Sequence, residues 1–353
     1  MKKQCVYLLL IWPTLTLADP QAYFSLNSFS YSEPIPVRQL DQNNYDFDGG
    51  EIALTHNWAE IGVTYNNFGV GILGRYDYDL NFSKDTAEFY YLVNNKKPLQ
   101  QGKKYDLFLE AKHTYSKGVR FSYYFPVIHD TKMNVGLSYL QGIWMTEGKA
   151  RGRGVALSEK DYDFQFDVDY YYSEDVMFER QTDTPTGQGY SFDISLDWQI
   201  NRKAGLKLRV IDLFGKIYWK NAPFTTAAAS SDVKEYDEDG YLIYKPVLSG
   251  FEGNSDFTQE LQPQINGLLH YQWKDSLAVL WQIYSFTFAD FYQFGLRYSL
   301  DSTSRFSALY MIETRAISIG YELKFFNVMI TSDTFDLENA HTLGLSLNLS
   351  TVF

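Results

Sequence analysis

The sequence predicts an all-β fold, a single transmembrane up-and-down barrel of antiparallel strands, and three observations predict it. Apolar and polar residues alternate with a period of two along much of the chain, helical periodicity is nowhere sustained, and 18% of the residues are aromatic, with 29 Tyr and 26 Phe. Alternation gives a strand one apolar and one polar face. Aromatic residues at this abundance suit strands that meet a bilayer interface better than the aliphatic core of a soluble β-sandwich, which is the alternative.

Charge and cysteine content exclude several classes of protein. The 353 residues carry 31 Lys and Arg against 43 Asp and Glu, a formal net charge of −12. Nucleic-acid binding needs a basic surface, so we expect no nucleic-acid partner. Cys5 is the single cysteine, which excludes a disulfide framework and a thiolate metal site. We predict no metal site and no cofactor.

The N-terminal segment predicts export. Lys2 and Lys3 precede an apolar run from Cys5 to Ala18, the pattern of a cleavable secretory signal peptide at residues 1–18. A membrane anchor is the alternative, but a run interrupted by Pro13 is shorter than the roughly 20 residues that a spanning helix needs. Residues 19–353 would then form the barrel.

Strands follow one another from Gln21 to the end of the chain. Segments near 51–57 and 60–66 are short, and the candidates number up to 18. We predict about 16 strands, in the range 14–18, and an even number, because an even count keeps both chain ends on one side. The clearest alternation lies at 192–200, 292–300, 306–312, 317–323 and 343–353.

The terminal strand carries a resemblance to a known class. Its apolar face is formed by Leu343, Leu345, Leu347, Leu349 and Phe353. This pattern resembles the assembly signal of Gram-negative outer-membrane β-barrels, although Thr351 stands where an apolar or aromatic residue is usual. The resemblance implies a location in the outer membrane with both termini in the periplasm. It also implies outer-membrane lipid, lipopolysaccharide and the barrel-assembly machinery as partners, and leaves the oligomeric state open.

Two familiar types of outer-membrane barrel fit less well. Strands begin almost at Gln21, which leaves no room for the plug domain of a TonB-dependent transporter. The general trimeric porins are similar in length, acidity and terminal Phe, but their Pro-Glu-Phe-Gly-Gly loop motif is absent from the sequence. The resemblance therefore indicates a porin-like barrel without identifying its family.

Connection lengths agree with a barrel that has short periplasmic turns and long extracellular loops. The short connections 201–203, 274–276 and 301–304 fall on one side. Segment 149–160 is an exception, because it is long where a short turn is expected. Long extracellular loops are predicted near 32–49, 94–104, 173–187 and 220–256.

Charged residues on the polar faces predict a lined lumen, since a carboxylate that faces hydrocarbon is costly. Two interpretations remain open: opposed charges across a water-filled channel, or a salt-bridge ladder that fills a closed barrel. The acids expected inside are Asp161, Asp163, Asp167, Asp169, Asp193 and Asp197, and the bases are Lys207, Arg209, Arg297 and Arg305.

Histidines are the main candidates for catalysis. We expect His56 to face lipid near an interface and His270 to face the lumen, and neither has an evident partner in the sequence. His129 and Asp130 are adjacent in a short loop, where turn chemistry is the simpler explanation. We therefore predict no catalytic residues and no enzyme. The acidic loop 220–256 is expected to be solvated surface; a constriction, a cation site with lipopolysaccharide and a partner contact are its alternatives.

Three functions follow in order of preference. The first is a channel for diffusion of small polar or cationic solutes. The second is a non-conducting surface-interaction or export-accessory barrel that acts through its extracellular loops. An outer-membrane hydrolase is the third.

Overall fold

The chain folds almost entirely into β-strands. The computed structural model describes residues 20–39, 47–128, 130–178, 180–243 and 247–352; the predicted signal peptide and Phe353 lie outside them. The elements in these residues are a 3-10 turn at Val37–Gln39 and β1 (Gln21–Ser32), β2 (Ile52–Tyr65), β3 (Phe68–Phe82), α1 (Lys84–Asn94), β4 (Lys104–Ile128), β5 (Thr131–Ala156), β6 (Tyr162–Tyr172), β7 (Thr186–Gln199), β8 (Ala204–Ser230), β9 (Glu235–Tyr236), β10 (Leu242–Ile243), β11 (Val247–Leu261), β12 (Gln264–Lys274), β13 (Leu277–Ser285), β14 (Asp290–Ser299), β15 (Arg305–Met311), β16 (Ile317–Leu323), β17 (Phe326–Ser332) and β18 (Thr342–Val352).

Fourteen of these strands close into one antiparallel ring. The ring runs β1-β2-β3-β4-β5-β7-β8, continues through β12 to β18, and returns to β1. The first and last strands close it, with Gln21 opposite Val352 and Tyr31 opposite Thr342. Closure satisfies the backbone groups that an open sheet would leave at its edges. The predicted closed antiparallel barrel is confirmed, with 14 strands in the ring rather than the predicted figure of about 16.

β6 and β11 lie outside the ring, which accounts for the difference in number. β5 and β8 are 26 and 27 residues long, more than twice the 9–11 residues of a tilted membrane strand. Beyond the ring, β6 pairs with both of them, and β11 pairs with β8. The exceptional segment 149–160 is explained in the same way, because β5 continues to Ala156 and only residues 157–161 connect it to β6, beyond the ring.

Connection lengths differ between the two ends of the barrel. Short connections at 201–203, 274–276 and 301–304 lie at the end where β1 begins and β18 finishes, which we call the turn end. The described residues of segments 32–49, 94–104 and 173–187 lie at the opposite end, the loop end. Segment 220–256 is largely strand instead of loop, since β8 extends to Ser230 and β11 begins at Val247.

The outer surface of the ring is apolar. Exposed hydrophobic residues recur at alternate positions along its strands; Ile72 is 66% exposed, Ile319 50% and Phe294 48%. Trp198 and Trp273 are exposed beside turn-end connections, as expected of interfacial girdle residues. A continuous apolar belt of this kind is the reverse of a soluble protein surface. The resemblance to outer-membrane β-barrels is therefore confirmed at the level of architecture. Among the described residues, no helix is long and apolar enough to cross a membrane.

A cap of packed segments covers part of the loop end. We use the term cap for α1, β6, β9, β10 and the first half of β11. Ser83 caps the start of α1 by accepting a hydrogen bond from the Thr86 amide (3.1 Å). The apolar face of α1 then packs on β6, with Phe89 against Tyr162 and the buried Phe164 nearby. The aromatic face of β6 is thus covered by protein.

Candidate functional site

A layer of buried ionic side chains crosses the barrel interior. Arg75 of β3 donates to Asp77 through Nε (2.7 Å) and to Asp212 through both terminal nitrogens (2.8 and 2.6 Å). Asp212 belongs to β8, four strands away around the ring, so the pair bridges the interior. It lies at a break in the β7–β8 register, with φ 55°, which turns its carboxylate into the lumen. The Arg75 and Asp212 side chains are 2% and 0% exposed.

His56 extends this layer on β2. Its Nδ1 lies 2.9 Å from Asp77 and its Nε2 2.9 Å from Asp79. A neutral imidazole has one N–H, so two carboxylate acceptors fit the doubly protonated ring. Gln264 and Thr287 donate to the remaining acceptor positions of Asp77 and Asp79 (3.3 and 3.1 Å). We call His56, Arg75, Asp77, Asp79 and Asp212 the ionic layer.

An apolar cluster lies beside the ionic layer. Trp219 is 1% exposed and packs in a buried cluster with Trp58, Leu140 and Ile217. Its indole N–H donates to Gln259 (3.1 Å). The ring lies directly against Gly142 and Gly187, where an added Cβ would stand 2.5 and 2.7 Å from indole carbons. Only glycine leaves room for the indole at these two positions.

Two cavities lie on either side of the ionic layer. The first, which we call the lumen cavity, has a volume of about 110 Å³. The second has a volume of about 30 Å³ and is lined largely by polar residues of β3, β4, β5 and β11. Asp77 and Gln264 line both, so the ionic layer is the partition between them. The lumen cavity has a mixed lining of Phe29, Trp58, Ile211, Tyr284, Phe286 and Met329 with Asn27, Arg209, Gln264, Asn266 and Ser346.

Stacked aromatic rings form one wall of the lumen cavity. Phe286 stacks on His56 at 4.3 Å between ring centroids and on Phe29 at 5.5 Å. Tyr284 stacks on Phe29 at 5.8 Å and on Phe286 at 6.4 Å. Arg209 lies on the same arc of the ring, because Asn266 of β12 is paired with Arg209 on one side and with Tyr284 on the other. Such a lining, mostly apolar with a few placed polar groups, is typical of small-molecule sites.

Six of the residues predicted to line the lumen lie on inward-facing positions of ring strands. Asp193 is buried and pairs with Arg120 (2.6 Å), and Arg305 pairs with Glu322 (2.8 Å). The predicted pairing of position 197 with position 207 is confirmed by the register of β7 and β8. The six are Asp193, Asp197, Lys207, Arg209, Arg297 and Arg305.

The other four predicted acids lie outside the ring. Asp163, Asp167 and Asp169 belong to β6, and Asp161 precedes it. Asp161 and Asp163 pair with Lys234 (2.8 and 2.7 Å). Burial lowers the pKa of Lys234, but these carboxylates outweigh it and hold the pKa above its usual value. β6 lies beyond the 14-strand ring, and cap residues, not lipid, cover its aromatic face. That the four acids line a lumen stays a prediction.

The structure corrects one of the histidine predictions, the orientation of His56. His56 is 6% exposed and faces inward, not toward lipid. Both of its ring nitrogens are bound to carboxylates, so it has no nitrogen free to activate a hydroxyl. His270 lies on an inward position, as expected, against Gly205. His129 is outside the described residues.

The ionic layer was missed by the sequence analysis. A usable signal was present, since Arg75, Asp77 and Asp79 alternate with Tyr76 and Tyr78 in the same manner as the acids of β6 alternate with aromatics. In β3 the aromatic residues do face outward. Among the described residues, no cluster of three or more His, Cys, Asp or Glu side chains is arranged to hold a metal ion.

The terminal strand agrees in part with the predicted assembly signal. Leu345 and Leu349 are exposed on the outer face of β18, and Leu343 and Leu347 share that face by alternation. Phe353 lies outside the described residues. The role of these residues in assembly stays a prediction.

Comparison with known proteins found fold neighbours alone. No protein-family model matches the chain, and no curated protein matches it. Among solved structures, a TodX deltaS2S3 mutant monoaromatic hydrocarbon channel is similar over 95% of this chain and 91% of its own, with 10% identity and a TM-score of 0.46. The Pseudomonas putida toluene transporter TodX is similar over 95% of this chain and 90% of its own, with 8% identity and a TM-score of 0.41. A Pseudomonas aeruginosa FadL homologue is similar over 94% of this chain and 89% of its own, with 9% identity and a TM-score of 0.26. At these values the similarity carries no implication for function.

Proposed function

We propose that the chain is an outer-membrane channel for small molecules, with its turn end in the periplasm and its loop end outside the cell. One observation carries the proposal: a closed ring that is apolar on its outer surface surrounds two solvent-sized cavities in its interior. An exposed apolar belt requires lipid around it. The cavities on both sides of the ionic layer provide a position where a solute can bind on each side.

The ionic layer acts as the gate of this channel. Its side chains are almost fully buried, so water does not pass between them in this state. Passage requires that Arg75 release Asp77, Asp212 or both. The layer is held by charge-assisted hydrogen bonds in a confined space, which makes the resting channel narrow.

The lumen cavity defines the solute. Its volume of about 110 Å³ limits the solute to a compact molecule, and its aromatic wall suits a molecule with an apolar body. The acids that suggested a cationic solute belong to β6, outside the ring. We therefore propose a compact, partly apolar solute in place of a purely polar or cationic one.

Conductance of the purified protein in planar lipid bilayers tests the proposal. Wild-type protein should show small unitary currents, and Arg75→Ala should increase them several-fold, because Asp77, Asp79 and Asp212 then repel one another and admit water. Arg305→Ala is the matched control, since Arg305 is also an inward, ion-paired arginine but lies outside the ionic layer. If folded wild-type and Arg75→Ala proteins both remain silent, the channel function is wrong.

A second candidate, the non-conducting surface-interaction barrel, is favoured by the cap. β5 and β8 project beyond the ring and support β6 and β11 as an ordered sheet, with two buried clusters of its own. A protrusion of this kind suits a binding platform. Deletion of α1 that abolishes binding of a partner, while conductance persists, would favour it.

A further inference from the structure

Three arginines beside the ionic layer and the lumen cavity differ in their surroundings; Arg75 and Arg120 are buried and Arg209 is half-buried. Arg75 holds two carboxylates, as described above. Arg120 donates to Asp193 (2.9 and 2.6 Å) and to Asn134 (3.0 Å), with Glu60 3.5 Å away. Arg209 makes neither a hydrogen bond nor an ion pair with any residue in the described part of the chain. A guanidinium has five N–H donors and no way to lose its charge in a protein.

Arg209 is held in position, but its N–H donors have no hydrogen-bond acceptor among the described residues. Its guanidinium carbon lies 5.2 Å from the centre of the Trp58 ring, a cation–π contact that fixes its position. The nearest acids have other partners: Glu60 accepts from Tyr23 (2.6 Å) and from the Trp58 indole (3.3 Å), and Asp193 accepts from Arg120. The free donors of Arg209 face the lumen cavity, of which it is a lining residue.

Charges on the turn side of the ionic layer add to this effect. A surplus of bases gives this half of the lumen a positive potential that draws in anions. The described inward-facing bases there are Arg120, Lys132, Lys207, Arg209, Arg297 and Arg305, and the described acids are Glu60, Asp193, Asp197 and Glu322.

We propose that the lumen cavity is a binding site for a small organic anion, with one carboxylate on Arg209 and a flat apolar body against the wall of Phe29, Tyr284 and Phe286. The planar fork of a guanidinium matches the two oxygens of a carboxylate. The stacked rings of the cavity wall favour a flat body of about the size of one aromatic ring. This inference rests on the proposed function and names the class of solute for the same cavity.

Binding of three matched probes to the purified full chain tests this inference. Benzoate, benzyl alcohol and benzylamine share an aromatic body and differ in charge. Isothermal titration calorimetry in detergent, with empty micelles subtracted, should give a dissociation constant for benzoate about tenfold or more below that of benzyl alcohol, because a charge-assisted bond is added. Benzylamine should bind most weakly.

Variants of Arg209 identify the source of this preference. Arg209→Gln should remove the difference between benzoate and benzyl alcohol, Arg209→Lys should keep part of it, and Arg297→Gln, an inward arginine that does not line the cavity, should leave it unchanged. Wild-type protein that binds benzoate and benzyl alcohol equally would overturn the inference, as would an Arg209→Gln protein that keeps the preference.

The two proposals fail in distinguishable ways. If benzyl alcohol binds and ions pass, but benzoate has no advantage, the anion site is wrong and the channel stands. If no probe binds and neither wild-type nor Arg75→Ala protein conducts, both are wrong.

Discussion

At the scale of single residues, inward-facing arginines with and without carboxylate partners should differ in what they contribute to stability. Arg120 neutralises Asp193 inside the barrel (2.6 Å), whereas Arg209 has no carboxylate partner among the described residues. Removing one member of a buried pair leaves an uncompensated charge, which costs about 3–5 kcal/mol. Removing an unpaired cation leaves no uncompensated charge behind.

We therefore expect Arg120→Gln to lower the unfolding temperature of the detergent-solubilised barrel and Arg209→Gln to leave it unchanged or raise it. The loss of heat-resistant fast mobility on a gel measures both variants. Equal losses of stability would show that Arg209 has a structural partner that this account denies.

The glycines beneath Trp219 give a second residue-scale prediction. A methyl group at Gly187 would overlap the indole, whereas one at Gly154 would meet Phe89 at an ordinary 3.6 Å. Gly187→Ala should cost about 1–3 kcal/mol of stability through overpacking, and Gly154→Ala should be tolerated. Denaturant unfolding monitored by tryptophan fluorescence compares the two. A tolerated Gly187→Ala would mean that the indole does not lie where we place it.

At the scale of elements, β3 and β6 show what a strand pattern can and cannot predict. Both alternate aromatic residues with charged ones, and in both the alternation correctly assigns two faces. The pattern does not say what covers the aromatic face. The aromatic face of β3 is part of the outer surface of the ring, whereas the aromatic face of β6 is covered by α1 together with Met177 and Phe178. That information lies in other segments of the chain.

The same limit explains the ionic layer. The sequence predicted the closed barrel, its short turns, and the inward positions of Asp193 and Arg209. It could not place Arg75 with Asp212, because the two are 137 residues apart and meet only when the ring closes. Pairing across a lumen depends on ring size and strand tilt, which local alternation does not encode.

Replacement of single residues in β6 tests the packing of the cap. Phe164 is 5% exposed in the cap, so Phe164→Ala should remove about 3–5 kcal/mol of packing and make the cap sensitive to protease. Gln165→Ala, the next residue on the exposed face, is the matched control. Limited proteolysis of folded protein in detergent measures both. Equal resistance of the two variants would contradict a packed cap.

At the scale of the whole molecule, one ring separates lipid from an aqueous interior that is divided by the ionic layer. The outer surface follows from aromatic and aliphatic alternation, and the interior follows from the charged residues on the opposite faces. Gate, cavity and anion site all depend on this division, since none of them exists if the apolar faces pack inward.

Spin labels placed one at a time along β14 test that division most directly, and the cysteine-free chain after residue 18 allows each label to stand alone. In lipid bilayers, labels at Tyr292, Phe294, Leu296 and Tyr298 should be accessible to oxygen and protected from a water-soluble nickel complex. Labels at Gln293, Gly295 and Arg297 should show the reverse. Labels that fail to alternate, or that all meet the nickel complex in a chain that folds as a monomer without detergent, would contradict the account.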